Sequence, residues 1–177
     1  MSPNTECQLN TPQSRGFLTF TRPTPRLGKG STMICSKTVL LAEDTEDDVY
    51  FFKRAFKQIG NDCDLQVVED GEEALQYLSG EGPYADRTAH PLPSLLFLDI
   101  KLPRRDGFEV LKWIRRHPTL CRLPVLILTS SNQRVDIDNA YDLGANTYFV
   151  KPTTFERLDE MLTSASKYWF EQGTVPA

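Results

Sequence analysis

Polar side chains suited to phosphoryl transfer follow four separate apolar stretches of the chain. They comprise two adjacent acids, a lone acid, two adjacent hydroxyls and a lysine: Glu43, Asp44, Asp99, Thr129, Ser130 and Lys151. Three carboxylates held close together repel one another, and a hard divalent cation such as Mg²⁺ relieves that repulsion. A metal ion and a lysine neutralise a transferring phosphoryl group, and a hydroxyl donates to one of its oxygens. The residue types therefore predict phosphoryl chemistry that depends on Mg²⁺.

Asp99 is the acid that we expect to react. It stands alone after the apolar run Leu95–Leu98, whereas Glu43 and Asp44 form an adjacent pair that suits metal binding. An aspartate can act as a nucleophile and carry an acyl phosphate. We predict that Asp99 is the phosphoacceptor and that Glu43 and Asp44 hold the metal.

Each of these residues has a simpler explanation when it is considered alone. Acids such as Glu43 and Asp44 are favoured near the start of a helix by its dipole. Thr129 is a suitable helix cap, and Lys151 suits a solvated strand end. The ordered set favours phosphoryl transfer, because all of its members follow apolar runs.

These side chains can meet only if the apolar runs are parallel strands of one sheet. From Lys37 onward, five short apolar runs alternate with five segments whose apolar residues recur at helical spacing. In the first such segment these residues are Val49, Phe52, Phe56 and Ile59. Five strand–helix units predict an α/β, doubly wound fold with a parallel sheet and helices on both faces. Ligands bind beyond the carboxyl ends of such strands, where the polar residues are expected.

The length and composition predict one globular domain with a tail on each side. The chain has 177 residues, of which 40% are hydrophobic and 25% charged. We expect residues 1–36, rich in Ser, Thr, Pro and Gly, to be a disordered tail, with Met33 as an alternative start. Residues 37–170 are predicted to form the domain, and residues 171–177 a C-terminal tail.

Charge and cysteine usage argue against several kinds of partner. The chain has a formal net charge of −4, and residues 1–36 hold four basic residues against one acid, which leaves −7 on the remainder. An acidic domain argues against binding to nucleic acid. The four cysteines are scattered without metal-ligand spacing, which fits reduced thiols and a cytoplasmic location. No apolar run approaches the length of a membrane span, so we expect no membrane partner.

Four motifs, taken in order, resemble those of the receiver domain of two-component response regulators. They are LLAED with Glu43 and Asp44, LLFLDIKLPRRDG with Asp99, LILTSS with Thr129, and YFVKP with Tyr148, Lys151 and Pro152. The resemblance covers residues 37–170, and stretches such as YLSGEGPYADR are similar to stand-alone regulators that serve phytochrome kinases. It implies a flavodoxin-like (βα)5 fold with the strand order 2-1-3-4-5.

The resemblance implies a phosphorylation switch. Asp99 would accept a phosphoryl group from a histidine kinase, which the similar regulators suggest is a phytochrome. Mg²⁺ would be bound by Asp44, Asp99 and the backbone carbonyl of Lys101, with Glu43 helping through water. Lys151 would pair with Asp99 at rest and with the phosphoryl group afterwards. Phosphorylation would change the protein surface for partner binding or onward phosphorelay.

Further roles follow from the same resemblance. Thr129, with Ser130 beside it, would bind phosphoryl oxygens after swinging inward. Tyr148 would follow Thr129 from outside to inside. The peptide bond between Lys151 and Pro152 would be cis.

Aromatic residues in the last third of the chain predict a contact surface. They are Tyr141, Tyr168, Trp169 and Phe170. Receivers often dimerise or bind partners through the face formed by the fourth helix, fifth strand and fifth helix, so the resemblance implies a homodimer there. Exposed aromatic clusters are common anchors of interfaces. By contrast, Arg104 and Arg105 are expected to lie in an exposed loop.

Two other functions remain open from the residues alone. A phosphatase with an aspartyl-phosphate intermediate also has an Asp after an apolar strand, but it needs a second Asp two residues later, where this chain has Lys101. A degenerate receiver would act only as a docking module that does not depend on phosphorylation. The intact acids, together with Thr129 and Lys151, argue against that alternative. We therefore predict a signalling phosphoacceptor rather than an enzyme.

Overall fold

Five strands and five helices alternate along the described part of the chain. The computed structural model describes residues 37–59 and 63–172. The strands are β1 (Lys37–Ala42), β2 (Cys63–Val68), β3 (Leu95–Leu98), β4 (Val125–Thr129) and β5 (Thr147–Val150). The helices are α1 (Glu46–Gln58), α2 (Gly71–Ser79), α3 (Gly107–Arg116), α4 (Arg134–Asp142) and α5 (Phe155–Ser166). A short 3₁₀ turn (Gly82–Tyr84) lies after α2, and a π-helical segment (Lys167–Gln172) follows α5.

The five strands are parallel and lie in the order β2–β1–β3–β4–β5, which confirms the predicted doubly wound α/β fold. Ala42 at the end of β1 lies beside Leu98 of β3, and Leu98 lies beside Ile127 of β4. Val150 at the end of β5 lies beside Thr129 of β4. The residues that follow these strands therefore lie along one edge of the sheet, as the sequence predicted.

Each face of the sheet is covered by its own apolar layer. On one face, Phe52 and Phe56 of α1 and Leu162 of α5 belong to the layer. On the other face, Tyr77 of α2 and Ile114 of α3 are among its buried members. The inner strands β3 and β4 are buried throughout, but the edge strands β2 and β5 are only partly covered. Burial on both faces therefore holds for the centre of the sheet, whose strand ends carry most of the candidate site.

The turn after β3 packs α3 tightly against the end of that strand. Asp106 begins the helix with a capping box, in which its side chain accepts from the Glu109 N–H and the Glu109 side chain accepts from the Asp106 N–H. Gly107 follows, and a Cβ at this position would lie 2.2 Å from the carbonyl oxygen of Asp99. The turn requires glycine at position 107 because the backbone of Asp99 fills the space that a side chain would need.

Some of the sequence predictions fall outside the described residues. These are the disordered tail over residues 1–36, its alternative start at Met33, and residues 173–177 of the C-terminal tail. The described fold begins at Lys37 and its last helical residue is Gln172. Among the helices of this part of the chain, none is long and apolar enough to cross a membrane.

Candidate functional site

The ends of β1 and β3 place two carboxylates inside the protein. Glu43 and Asp99 are only 2% and 4% exposed. The sheet fixes their backbones, because the Glu43 N–H donates to the Val68 carbonyl at 3.0 Å and the Asp99 N–H donates to the Ala42 carbonyl at 3.1 Å. Buried carboxylates are costly unless a cation or hydrogen-bond donor compensates for the lost water. This edge of the sheet therefore needs a positive charge.

Lys151, which follows β5, supplies that positive charge. Its Nζ lies 2.6 Å from Glu43 Oε2, 2.7 Å from Asp99 Oδ2 and 2.8 Å from Asp48 Oδ2. An ammonium group has three N–H donors, so each donor has its own carboxylate acceptor. The contact between Lys151 and Asp99 is the resting pair that the resemblance implied.

Burial and ion pairing act in opposite directions on the pKa values of these groups. Burial raises the pKa of Glu43 to about 6, although its contact with Lys151 works against this change. Burial alone would lower the pKa of Lys151, but hydrogen bonds to Asp48, Asp99 and Glu43 outweigh burial and hold that pKa above its usual range. Lys151 is therefore a permanent cation beside Asp99.

Three acids at this edge are close enough to share one cation. Oxygens of Glu43, Asp44 and Asp99 all lie within 4.8 Å of one another, and Asp44 is exposed to water. The donors of this cluster are carboxylate oxygens without thiolate or imidazole, which favours a hard cation such as Mg²⁺ or Mn²⁺. Water can complete the coordination on the side of Asp44. The residues fit the predicted divalent metal site.

Lys101 contributes its backbone and its side chain to different parts of the site. Its N–H donates to Asp99 Oδ1 at 3.0 Å, so its backbone borders the candidate phosphoacceptor. The role of its carbonyl as a metal ligand stays a prediction. Its exposed ammonium lies 3.5 Å from the Ser130 hydroxyl, which is long for a hydrogen bond. Lys101 therefore reaches from the end of β3 to the end of β4.

Hydroxyl residues at the end of β4, in the loop after it and in β5 form a second group. Thr129 is fully buried, and its Oγ1 accepts from the Ser131 N–H at 3.4 Å. The partly buried Tyr148 donates its hydroxyl to the Ser131 carbonyl at 3.0 Å, and the Ser131 hydroxyl donates to Asp136. Burial raises the pKa of Tyr148, so its hydroxyl remains a donor. Tyr148 is thereby tied to the loop that follows Thr129.

The prediction of a cis peptide bond between Lys151 and Pro152 was wrong. No cis peptide bond occurs in residues 37–59 and 63–172. The trans isomer of a bond before proline is generally favoured by about 0.5–1 kcal/mol. With the trans bond, the Lys151 N–H still donates to the Thr129 carbonyl at 2.7 Å, and the ammonium still reaches Asp99.

The four aromatic residues predicted as a contact surface divide into two pairs. Tyr141 on α4 and Tyr168 after α5 are 50% and 59% exposed. Trp169 and Phe170 are partly buried and pack on the apolar layer beside α1 and α5. The Lys37 ammonium donates to the Phe170 carbonyl at 3.0 Å and lies over its ring. Within this set, Tyr141 and Tyr168 therefore offer a partner the largest exposed area.

The two arginines after β3 bind acids at the start of α2. Arg104, whose φ is 63°, forms an ion pair with the buried Asp70, and Arg105 pairs with Glu72 at 2.6 Å. The loops approach closely at Gly71, where a Cβ would lie 2.0 Å from the Arg105 carbonyl oxygen. The arginine side chains are exposed, as expected. Their ion pairs were not predicted, because the sequence does not show which loops meet.

Asp48 is the candidate that sequence reasoning missed. It lies in the first turn of α1, where an acid is explained by the helix dipole alone. The contact that gives it a further role comes from Lys151, 103 residues away. One signal was available, since Glu46, Asp47 and Asp48 add three acids directly after the Glu43–Asp44 pair.

The family model for the response regulator receiver domain matches residues 39–163. The chain belongs to this family of signalling proteins, which confirms the class predicted from its motifs. The chain is similar to the response regulator Rcp1 of Synechocystis sp.. The two are 35% identical over 141 residues, which cover 80% of this chain and 94% of Rcp1.

Solved structures of phytochrome-associated regulators have the same fold. The phosphorylated cyanobacterial phytochrome response regulator RcpA has a TM-score of 0.76 and 34% identity, covering 81% of this chain and 100% of RcpA. The Mn²⁺-bound form of Rcp1 has a TM-score of 0.73 and 35% identity, covering 80% of this chain and 99% of Rcp1. These similarities confirm the predicted likeness to phytochrome-associated regulators. The Rcp1 structure contains Mn²⁺.

Proposed function

We propose that the protein is a switch in which Asp99 accepts a phosphoryl group from a histidine kinase. The observation that carries this proposal is the 2.7 Å contact between Asp99 Oδ2 and Lys151 Nζ at the edge of the acidic cluster. In the transfer, a carboxylate oxygen of Asp99 bonds to phosphorus while the N–P bond of the phosphohistidine breaks. The imidazole leaves with the electron pair of that bond, and Asp99 carries an acyl phosphate.

The charged neighbours of Asp99 would stabilise the arriving phosphoryl group. Lys151 would exchange a carboxylate contact for a phosphoryl oxygen, which places a full positive charge where negative charge arrives. The Lys101 N–H, already bonded to Asp99 Oδ1, would keep the carboxylate oriented during transfer.

The hydroxyl residues would respond to the phosphoryl group after it has arrived. Thr129 would give up its 3.4 Å contact with the Ser131 N–H and donate to a phosphoryl oxygen, with Ser130 beside it. Tyr148 would then leave the Ser131 carbonyl and move inward. This change at the β4–α4 loop would alter the surface to which a partner binds.

Glu43, Asp44 and Asp99 would hold Mg²⁺ with the Lys101 carbonyl, and Glu43 would act through a water molecule. When bound, Mg²⁺ would offset the repulsion between these acids and the phosphoryl oxygens. The clustered oxygens support a hard divalent cation. The choice of Mg²⁺ rests on its use with carboxylate and phosphate oxygens.

Intact mass measurement tests the proposed phosphoacceptor. The protein is incubated with Mg²⁺ and a small acyl phosphate, and we expect one added phosphoryl group. Asp99→Asn should remove the adduct, because the amide is a poor nucleophile and lacks the charge. Asp106→Asn is the matched control, since it changes a nearby acid at a helix cap that Asn also supplies.

The outcome also separates the alternatives. An adduct that persists in Asp99→Asn would place the phosphoryl group elsewhere. No adduct from the acyl phosphate or from a cognate kinase would favour a docking module that does not depend on phosphorylation. Continued release of phosphate from a generic phosphomonoester would instead identify a phosphatase.

A phytochrome histidine kinase is the proposed partner. The names of RcpA and of related bacteriophytochrome regulators support this choice. A homodimer through α4, β5 and α5 is a second proposed contact, supported by the exposed Tyr141, Val150 and Tyr168. The predictions of a cytoplasmic location and of no nucleic-acid partner rest on the cysteine pattern and the acidic domain.

A further inference from the structure

Asp48 stands apart from the other two acids that hold Lys151. Glu43 and Asp99 belong to the acidic cluster with Asp44, but Asp48 lies outside it. It comes from the first turn of α1 rather than from a strand end, and its side chain is 42% exposed against 2% and 5% for the other two. Asp48 is therefore the partner of Lys151 that a cation at the cluster leaves in place.

The surroundings of Lys151 leave its ammonium room to move. A cavity of about 280 Å³ opens between α1 and the start of α5. Its lining includes the charged residues Lys151, Glu43 and Asp48 together with apolar residues such as Phe51 and Phe155. The flexible four-carbon stem of lysine can point in several directions when space is available. Packing alone therefore does not hold the ammonium beside Asp99.

Three acceptors fix the direction of an ammonium group more firmly than two, because each N–H then has one acceptor. In transfer, Glu43 and Asp99 would also serve the cation of the acidic cluster, and Asp99 would gain a phosphoryl group. Both of their contacts with Lys151 would then weaken or change. The contact with Asp48, 2.8 Å long, involves neither the cation nor the phosphoryl group and would survive these changes.

We propose that Asp48 is a positioning residue for phosphoryl transfer, which holds the Lys151 ammonium beside Asp99 while the other two acids change partners. It also ties the first turn of α1 to the end of β5. This inference rests on the proposed function of Asp99 and goes beyond it, because Asp48 lies outside the acidic cluster.

The test compares phosphoryl uptake from a small acyl phosphate at saturating Mg²⁺ in two alanine variants. Asp48→Ala should slow the maximal rate roughly tenfold, because misplacing a charge-stabilising group by a fraction of an ångström carries a cost of this size. The Mg²⁺ affinity should not change. Asp47→Ala is the matched control, since it removes an exposed acid from the same helical turn without touching Lys151.

Two further measurements separate positioning from a merely structural role. Asp48→Asn keeps an acceptor for the ammonium and should recover most of the rate. Labelling of Lys151 by an amine-reactive reagent, followed by peptide mass spectrometry, should be faster in Asp48→Ala than in wild type. This second measurement needs neither metal nor phosphoryl donor.

Three results would overturn the inference. Equal slowing by Asp47→Ala would assign the effect to the charge at the start of α1. A loss of Mg²⁺ affinity in step with the rate would make Asp48 part of the metal site, and an unchanged rate would remove its role altogether. If wild type takes up no phosphoryl group, the proposed function fails, and Lys151 labelling still decides whether Asp48 positions the ammonium.

Discussion

The carboxyl edge of the sheet has a charged half and a hydroxyl half, and the two are held in different ways. In the charged half, beyond β1, β3 and β5, Lys151 makes three ion pairs of 2.6–2.8 Å. In the hydroxyl half, which comprises the end of β4, the loop after it and Tyr148 of β5, Thr129 has a 3.4 Å contact with Ser131, and Tyr148 donates to a neutral carbonyl at 3.0 Å. The charged half is therefore already assembled in this structure, whereas under the proposed function the hydroxyl half would rearrange to reach a phosphoryl group.

This difference assigns the two halves to different steps of a switch. Hydrogen bonds between charged groups are about twice as strong as neutral ones, so the charged half is the rigid part. A neutral bond contributes about 1 kcal/mol, which a newly arrived phosphoryl group can outweigh. The charged half would set capture of the phosphoryl group, and the hydroxyl half would set the population shift that follows.

Removing the shared cation should have the largest effect. Lys151→Met keeps an apolar stem in the cavity but leaves the buried Glu43 and Asp99 without their partner. We expect the metal-free protein to lose about 3 kcal/mol of unfolding free energy, because breaking a buried pair strands its charges. Phosphoryl uptake should fall roughly 100-fold, since the positive charge beside Asp99 is lost. Urea unfolding and intact mass measure the two effects.

Added Mg²⁺ provides an internal check on that variant. Because a cation at the cluster replaces part of the lost charge, Mg²⁺ should restore more stability to Lys151→Met than to wild type. Lys101→Ala is the control, since this exposed lysine lies at the same edge and should change stability by less than about 0.5 kcal/mol. Equal losses of unfolding free energy in Lys151→Met and Lys101→Ala would show that the ion pairs of Lys151 stabilise the protein no more than an exposed lysine does.

Thr129→Val should affect the conformational response to phosphorylation rather than the uptake of the phosphoryl group. Valine keeps the shape of the buried side chain but cannot donate to a phosphoryl oxygen. We expect the switched conformation of the phosphorylated protein to lose about 2 kcal/mol, the value of a hydrogen bond to a charged group. NMR signals of the Tyr148 ring, recorded before and after phosphorylation, report this change. Thr129→Ser keeps the hydroxyl and should retain most of the response.

The sequence predicted the charged half more completely than the hydroxyl half, for a physical reason. Buried strands have a strong apolar pattern, so the positions of Glu43, Asp99, Thr129 and Lys151 at strand ends followed from periodicity and the rules of parallel sheets. The resting contact between Tyr148 and Ser131 has no such pattern. It depends on the path of one loop, which neighbouring residues do not determine.

Contacts between segments that are far apart in the sequence were also not predicted. Asp48 looked like an ordinary acid at a helix start, because its local setting fully explains an acid there. Its contact with Lys151 and the pairing of Arg104 with Asp70 both require knowledge of which loops meet. The trans bond before Pro152 was missed for a different reason. The prediction of a cis bond was taken from the resemblance to receiver domains, whereas this bond follows the general preference for trans.

Tyr148→Phe should have the smallest effect of these changes. It tests most closely whether the hydroxyl half is held more weakly than the charged half. The substitution removes only the hydroxyl that donates to the Ser131 carbonyl at 3.0 Å. We expect a loss of about 1 kcal/mol in urea unfolding, because one neutral hydrogen bond is removed from a partly buried site. Tyr168→Phe is the control, since Tyr168 is 59% exposed and its substitution should change stability by less than about 0.5 kcal/mol.

The bond from Tyr148 to the Ser131 carbonyl also holds Tyr148 in its resting position, so its loss should shift the equilibrium towards the switched conformation roughly fivefold. A loss as large as that of Lys151→Met would mean that both halves are equally rigid, and the assignment of the moving part to the hydroxyl half would then be wrong.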